Sequence, residues 1–293
     1  MPKTEHASLA PEPIVETSTL RLKPVRDGLL WYFKHDAYVG ASIDRYGEFS
    51  AQETALFRQF VQPGWTVLDV GANIGAHTVE LARMVRLEGR VFAFEPQRLV
   101  HHVLCANLAM NDIGNTVAVQ AALGAQTGQI AIAKPDYGTP DNFGGISLLG
   151  SATGPNEPVP MTTIDTLSLS ACHFIKVDVE GMEIDVLRGA SGTLRRFRPL
   201  LYLENDRDRQ SEALLTLLLG VGYRLYWHFP PLYNAANFYG DPVNIFPGLV
   251  SINVLGIPQE RPASIKAMEP VLGPGDGWRD AVERQNRNAG KTA

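Results

Sequence analysis

The feature that most constrains the fold is a strand that ends in a glycine turn and leads into a helix. Residues 67–75 read Val-Leu-Asp-Val-Gly-Ala-Asn-Ile-Gly, and a helical pattern follows over 76–85. Glycine adopts backbone conformations that other residues avoid, so this turn lets the chain pass close to a ligand. Ligands bind at the carboxyl edge of parallel sheets in such folds. The segment therefore predicts an α/β protein with a binding site at this turn.

Strand and helix patterns alternate along most of the chain. Predicted strands lie at 65–70, 90–94, 117–120, 174–179, 200–203, 223–227 and 250–255, and predicted helices at 50–61, 76–85, 98–110, 184–187 and 211–219. This alternation predicts a mostly parallel, seven-stranded sheet with helices on both faces. Ser50 and Glu53 have the spacing of a capping box at the start of the first helix.

Composition divides the chain and limits its partners. We expect a loose tail over 1–13, a hairpin-rich segment with a helix over 14–62, a main domain over 63–260 and a polar tail over 261–293. Gly, Pro and Asn in 122–161 indicate a hairpin and loop insertion near the site. A net charge of −5 disfavours nucleic acid as a general partner.

Two cysteines, Cys105 and Cys172, rule out a disulfide scaffold and have no zinc-site spacing. No apolar run approaches the roughly 20 residues of a membrane span. The first residues carry no visible secretory signal, so the expected location is the cytoplasm.

Two classes of ligand could bind at the glycine turn, a dinucleotide or S-adenosylmethionine. A dinucleotide site needs Gly-x-Gly-x-x-Gly, whereas this chain has Gly71 and Gly75 with Asn73 between them. Asp69 would repel a pyrophosphate but would suit an ammonium and a sulfonium centre, as in S-adenosylmethionine. Glu95, at the end of the next strand, is placed to accept the hydroxyls of a ribose. The structural alternative is a tight strand–helix turn without a ligand.

A second group of ionisable residues closes the predicted strand at 174–179. Lys176, Asp178 and Glu180 alternate with apolar residues and are expected on one face. Because a central parallel strand is normally apolar on both faces, these charges indicate a catalytic edge. A structural Lys176–Asp178 ion pair is the alternative. Glu204 closes the next strand and is expected opposite Asp178, unless it belongs to a solvated loop.

In these residues the chain resembles the FkbM family of S-adenosylmethionine-dependent methyltransferases. The matching blocks cover 46–48, 67–75, 93–96, 121–124, 163–167, 175–183, 187–190 and 198–204. The resemblance implies a class I methyltransferase (Rossmann-like) fold and O-methylation of a hydroxyl on a sugar, glycolipid, polyketide or similar small molecule. The donor pocket implied in this way comprises Asp69, Gly71, Asn73, Glu95 and Asp178. The full predicted cofactor-binding set also includes Gly75, Thr78, Ala122 and Leu123.

A hydroxyl acceptor must lose a proton as it is methylated, so a base near the methyl group helps. The candidates, in order, are Glu180, Asp178, Glu204 and, more remotely, His228, with Lys176 orienting a carboxylate. The three acids could also hold a divalent metal, since hard oxygen ligands suit magnesium, but the sequence does not establish one.

The acceptor is expected to meet two segments, 136–145 and the aromatic, asparagine-rich 233–246. The alternatives to a methyltransferase are an NAD-dependent oxidoreductase and a non-catalytic binding module with the same fold.

Overall fold

The computed structural model describes residues 10–146, 155–262, 265 and 268–289. A central sheet of eight strands organises the chain. In spatial order these are β6 (Thr116–Val119), β5 (Arg90–Phe94), β4 (Thr66–Val70), β10 (Phe174–Val177), β11 (Leu200–Glu204), β13 (Asn253–Pro258), β12 (Tyr223–His228) and β14 (Glu269–Pro270). The first five are mutually parallel, whereas β13 runs antiparallel to both of its neighbours.

The predicted α/β class and mostly parallel sheet are confirmed, and the short β14 adds an eighth strand at one edge. The last predicted strand, 250–255, begins three residues later than expected, at Asn253. Among the described residues, no helix is both long and apolar enough to span a membrane.

Helices cover both faces of the sheet. They are α1 (Val39–Tyr46), α2 (Ala51–Phe60), α3 (Ala76–Val85), α4 (Arg98–Met110), α5 (Glu183–Arg188), α6 (Ser191–Phe197), α7 (Asp208–Gly220) and α8 (Trp278–Ala289). The first four bury apolar residues on one side, and the last four bury theirs on the other. Burial of these apolar faces removes their surface from water and holds the layers together.

The alternation of side chains along β4 decides which face each residue meets. Leu68 and Val70 pack with the core beneath α5–α8, whereas Val67 packs with the core beneath α2 and α3. Asp69 lies on the same face as Val67, because successive side chains of a strand point to opposite sides. It is therefore directed into the layer that contains α3.

The N-terminal segment forms the predicted hairpins and one unpredicted helix. Strands β1 (Val15–Glu16), β2 (Leu20–Val25) and β3 (Gly28–Phe33) make an antiparallel sheet. Helix α1 lies within the segment predicted as hairpin-rich, before the predicted helix at 50–61. Ile43 and Tyr46, three residues apart, share one face of that helix and are buried. Helix α2 begins at Ala51 as predicted, but Ser50 makes no side-chain capping bond.

The insertion at 122–161 forms a small separate sheet. Strands β7 (Ala122–Leu123), β9 (Asn156–Thr162) and β8 (Gly128–Ala133) lie side by side, and β8 and β9 pair antiparallel. The connection after β8 returns over the carboxyl edge of the main sheet at residues 142–146. Part of the predicted loop, 147–154, lies outside the described residues.

The polar C-terminal segment, predicted as a tail over 261–293, contains β14 and α8. Asp276 accepts a hydrogen bond from the indole of Trp227 in β12 and pairs with Arg284 of α8. Ala281 on α8 is fully buried. These contacts attach part of the segment to the edge of the sheet, although its residues are mostly polar.

Candidate functional site

A cavity of about 450 Å³ opens at the carboxyl ends of β4, β5, β10 and β11. This is the edge that the glycine turn predicts as a ligand site. Its volume lies within the range of small-molecule sites in proteins. The residues of the predicted donor and catalytic sets that line it are Gly71, Asn73, Glu95, Lys176, Asp178, Glu180 and Glu204.

The turn after β4 requires glycine for two different reasons. Gly71 has a φ of +80°, and a Cβ built on it would lie 1.7 Å from the carbonyl oxygen of Asp178. Gly75, the N-cap of α3, has a φ of +87°, and a Cβ there would lie 2.6 Å from Cδ1 of Leu104. Gly71 therefore lets two strand ends meet at the cavity, whereas Gly75 packs against α4 and does not line it.

The Glu95 carboxylate is fixed by two backbone donors. The amide of Asn73 donates to Oε2 at 3.0 Å, and the amide of Gln97 donates to Oε1 at 2.8 Å. Burial, reinforced by the charge of Asp69, raises the pKa of Glu95 to about 7 against the effect of these bonds. Each oxygen can still accept a hydrogen bond from a hydroxyl, since an ionised carboxylate offers about four lone-pair sites. The group fits the ribose role that the sequence predicts.

Asp69 is predicted for the donor pocket, but it does not line the cavity. Its side chain has no solvent exposure, and Oδ2 accepts a 2.7 Å hydrogen bond from the Thr78 hydroxyl on α3. Oδ1 lies 3.4 Å from Nζ of Lys176. Asp69 lies one position before the end of β4 and is enclosed between Thr78 and Lys176, so Asp69 and Thr78 support the turn from behind.

Ala122 and Leu123, also predicted for the donor pocket, are buried in the core beneath α5–α8. They form β7 and pair with Met161 and Thr162 of β9. Both side chains are enclosed by neighbouring apolar residues, so packing of the small sheet against the core accounts for their position.

Three carboxylates meet where β10 and β11 end. Oxygen atoms of Asp178, Glu180 and Glu204 all lie within 4.8 Å of one another. Glu180 has a φ of +55°, which is unusual for a residue with a Cβ. The buried Glu183 accepts bonds from the amides of Val179 and Gly181, at 3.2 and 3.1 Å, and so holds this turn. Glu204 thus lies beside Asp178, as predicted.

The surroundings of these acids change their acidity. Burial and the charge of Asp178 raise the pKa of Glu180 to about 7, although Arg207 opposes the shift from 2.5 Å away. Burial and the neighbouring negative charges raise the pKa of Glu204 well above its usual range. Lys176 lies 3.6 Å from Asp178. A carboxylate that titrates near neutrality, as Glu180 does, suits proton transfer.

Sequence reasoning missed a second polar pair in the cavity wall. Glu53 of α2 and His77 of α3 are buried, and Oε2 of the first lies 3.4 Å from Nε2 of the second. The Asn253 amide donates to Glu53 at 3.3 Å. Helical periodicity predicts α2 and α3 separately, but no spacing in the sequence indicates that their polar residues meet.

The two segments predicted for the acceptor behave differently. Asn142, Gly144 and Gly145 line the cavity, in agreement with the first. No residue of the aromatic stretch 233–246 lines it; instead this stretch packs against α1, where Tyr46 donates to the carbonyl of Val243. Residues on either side of the stretch line the cavity, namely Leu232 and those from Leu249 to Asn253.

His228, the most remote of the candidate bases, lies outside the cavity wall. Its Nδ1 is 2.8 Å from the hydroxyl of the buried Tyr202. Burial lowers the pKa of His228, so the neutral imidazole is favoured. These contacts account for the residue as part of the packing between β11 and β12.

The chain is similar to a curated methyltransferase and to solved methyltransferase structures. Methyltransferase sdnD of Sordaria araneosa is 28% identical over 155 residues, covering 42% of this chain and 59% of that protein. The chain thus spans about three fifths of this curated relative.

Among solved structures, methyltransferase FkbM of Methylobacillus flagellatus KT covers 70% of this chain and 50% of its own, with 17% identity and a TM-score of 0.45. M. jannaschii TYW2 in complex with AdoMet covers 83% and 87%, with 13% identity and a TM-score of 0.44. The model of the methyltransferase FkbM domain matches residues 69–225, more than half of the chain. This chain therefore belongs to the FkbM methyltransferase domain family.

Proposed function

We propose that this protein transfers a methyl group from S-adenosylmethionine to a hydroxyl oxygen of a small molecule, such as a sugar, glycolipid or polyketide. The observation that carries the proposal is that Glu95 and the group of Asp178, Glu180 and Glu204 line one cavity. The first provides the acceptors that a ribose needs, and the second provides bases for a hydroxyl. Membership of the family supports the reaction class.

The residues around the glycine turn fit the donor. Gly71 and Asn73 bring the backbone to the cavity wall beside Glu95. When bound, S-adenosylmethionine supplies an activated methyl group on a positively charged sulfur. Because Lys176 offsets the charge of Asp69, attraction for that positive charge comes from the carboxylates that line the cavity.

Glu180 is the best placed of the candidate bases. Its pKa of about 7 allows it to be ionised and to hold a proton at the same pH. Arg207 fixes its carboxylate from 2.5 Å, and Glu183 holds the turn that presents it. We infer that Glu180 takes the proton of the acceptor hydroxyl, while Lys176 orients Asp178. Enclosure of the acceptor by these walls aligns it and excludes water.

The cavity wall supports a polar, ring-shaped acceptor. Tyr38 and Phe49 provide aromatic faces, and Asn142 and Asn253 provide amides. Aromatic faces together with hydrogen-bonding side chains suit a saccharide, which needs both stacking and polar contacts. Nucleic acid is not part of the proposal because the chain has a net charge of −5.

Methyl transfer is tested with labelled S-adenosylmethionine and a panel of sugars, glycolipids and polyketides, with products identified by mass spectrometry. We expect a gain of one methyl group on an oxygen, and a rate loss of roughly 10²–10⁴-fold in Glu180→Gln. Glu212→Gln is the matched control, because Glu212 is an exposed carboxylate on α7. An unchanged rate in Glu180→Gln would remove Glu180 from the mechanism.

Calorimetry distinguishes the methyltransferase from the two alternative functions. Binding of NAD instead of S-adenosylmethionine would favour an oxidoreductase. Donor binding with no product from any acceptor in the panel would favour a non-catalytic module.

A further inference from the structure

The acid group at the ends of β10 and β11 carries more negative charge than a proton relay needs. Asp178, Glu180 and Glu204 place oxygens within 4.8 Å of one another, and Asp206 follows in the same wall. Like charges this close repel each other strongly when water is partly excluded. A single general base would not require three carboxylates at one point.

Nearby cations only partly offset this charge. Within the described part of the chain, the side chains that pair with these acids are Lys176 and Arg207. Lys176 is shared between Asp178 and Asp69, and Arg207 is shared between Glu180 and Asp206. Glu204 makes no ion pair with a described residue. When these acids are ionised, the group therefore retains a net negative charge directed at the cavity.

A separate observation also points to a ligand. Oε2 of Glu204 is inaccessible to solvent and has no hydrogen-bond partner among the described residues. Its carboxylate lies in the cavity wall and faces Asp178 and Glu180. An enclosed carboxylate oxygen without a partner costs free energy, and folded proteins rarely leave one. A bound cation would satisfy this oxygen and offset the remaining charge.

We propose that Asp178, Glu180 and Glu204 bind a divalent cation that prefers oxygen ligands. Two oxygens no more than 4.8 Å apart can both lie about 2.4 Å from one ion, within the range of calcium. Magnesium, whose bonds are shorter, would need oxygens no more than about 4.2 Å apart. Neither cysteine lines the cavity, so softer metals find no thiolate there.

Three carboxylates leave coordination positions that face the cavity. A hard cation takes about six to eight oxygen ligands, so the remaining positions are open to water or to the acceptor. A ligand with two neighbouring oxygens, such as a vicinal diol, would bind through both. This assignment of the acceptor rests on the proposed methyl transfer, whereas binding of the cation itself does not.

The test is a titration of the full chain with Mn²⁺ alone, followed by electron paramagnetic resonance, without donor or acceptor. We expect one ion per chain, displaced by Ca²⁺ and less readily by Mg²⁺. Glu204→Gln and Asp178→Asn should each weaken binding at least tenfold. The control Glu212→Gln should bind as the parent does, because that carboxylate is exposed on α7.

Two results would overturn the proposal: no site-specific Mn²⁺ binding by the parent chain at millimolar concentration, or equal affinity in the parent, Glu204→Gln and Asp178→Asn. Circular dichroism checks whether each variant is folded. If both variants unfold, the titration of the parent chain decides whether the cation binds. Because the titration contains no donor, the Mn²⁺ result does not depend on whether the protein transfers a methyl group. Mn²⁺ binding without any methylated product would contradict the proposed function alone.

Discussion

Lys176 of β10 and Asp69 of β4 form an ion pair across neighbouring strands, with Nζ and Oδ1 3.4 Å apart and both side chains almost wholly enclosed. Their parallel register places them opposite each other one position before the strands end. The pair holds the two strand ends that build the cavity. It also explains how an acid can lie buried behind the glycine turn, because an unpaired buried charge would be costly.

Removing one partner of this pair should destabilise the fold. We expect Lys176→Met to lower the free energy of unfolding by about 3–5 kcal/mol, because it leaves Asp69 buried and unpaired. The double variant with Asp69→Asn should recover part of that loss. Urea unfolding measures both, and Lys34→Met, which breaks the more exposed pair with Glu16, should cost about 1 kcal/mol or less. Equal losses at both lysines would contradict the assignment.

Gly71 should be far less replaceable than a glycine of similar backbone conformation elsewhere. An added Cβ meets the carbonyl oxygen of Asp178 at 1.7 Å, whereas Gly64, with a φ of +82°, has no atom within 4 Å of such a Cβ. Gly64→Ala should cost roughly 1–2 kcal/mol from backbone strain alone. We expect Gly71→Ala to cost at least about 2 kcal/mol more and to abolish donor binding. Thermal unfolding measures the stability of both variants, and calorimetry measures their donor binding. Equal losses of stability in Gly71→Ala and Gly64→Ala would contradict the close approach of Gly71 to the carbonyl of Asp178.

Nucleoside binding should strengthen as pH rises through neutrality. The pKa of Glu95 is raised to about 7, so the carboxylate that accepts ribose hydroxyls is mostly protonated at pH 6 and mostly ionised at pH 8. Affinity for 5′-methylthioadenosine, which is uncharged at both values, should increase about tenfold between them. Glu95→Gln should bind weakly and without this pH dependence. Calorimetry at the two pH values measures the change, and a flat profile in the parent would exclude Glu95 as the ribose acceptor.

The buried pair of Glu53 and His77 should contribute stability that depends on pH. Burial alone would raise the pKa of Glu53, but the hydrogen bond and charge of His77 lower it below its usual range. A lowered pKa stabilises the fold above the unfolded value near 4.5, and this contribution is lost as the pH falls through the folded value. His77→Ala should therefore lose about 2 kcal/mol at pH 7 and less near pH 4.

Unfolding in urea at both pH values checks this dependence. The exposed His102 provides the control variant, His102→Ala, which should change little at either pH. A loss in His77→Ala that grew towards acid would show that the pair does not act in this way.

Periodicity and glycine spacing determined most of the architecture from the sequence alone. The strand, turn and helix at 66–85 lie where predicted, and α4 has the predicted bounds. Local rules succeed here because strand alternation, helix repeat and the conformational freedom of Gly71 are properties of neighbouring residues. They also predicted that Asp178, Glu180 and Glu204 gather at one edge, since the ends of adjacent parallel strands meet.

Only the tertiary structure decided which of these side chains reach the cavity. Asp69 has the right residue type in the right motif, but it lies one position before the end of β4 and is enclosed between Thr78 and Lys176. Glu53 and His77 join the wall because α2 and α3 pack side by side, and contacts between distant segments leave no periodic signal. The aromatic stretch 233–246 is held against α1 by such contacts as well. Local pattern thus determined the elements, whereas packing between them determined the contents of the site.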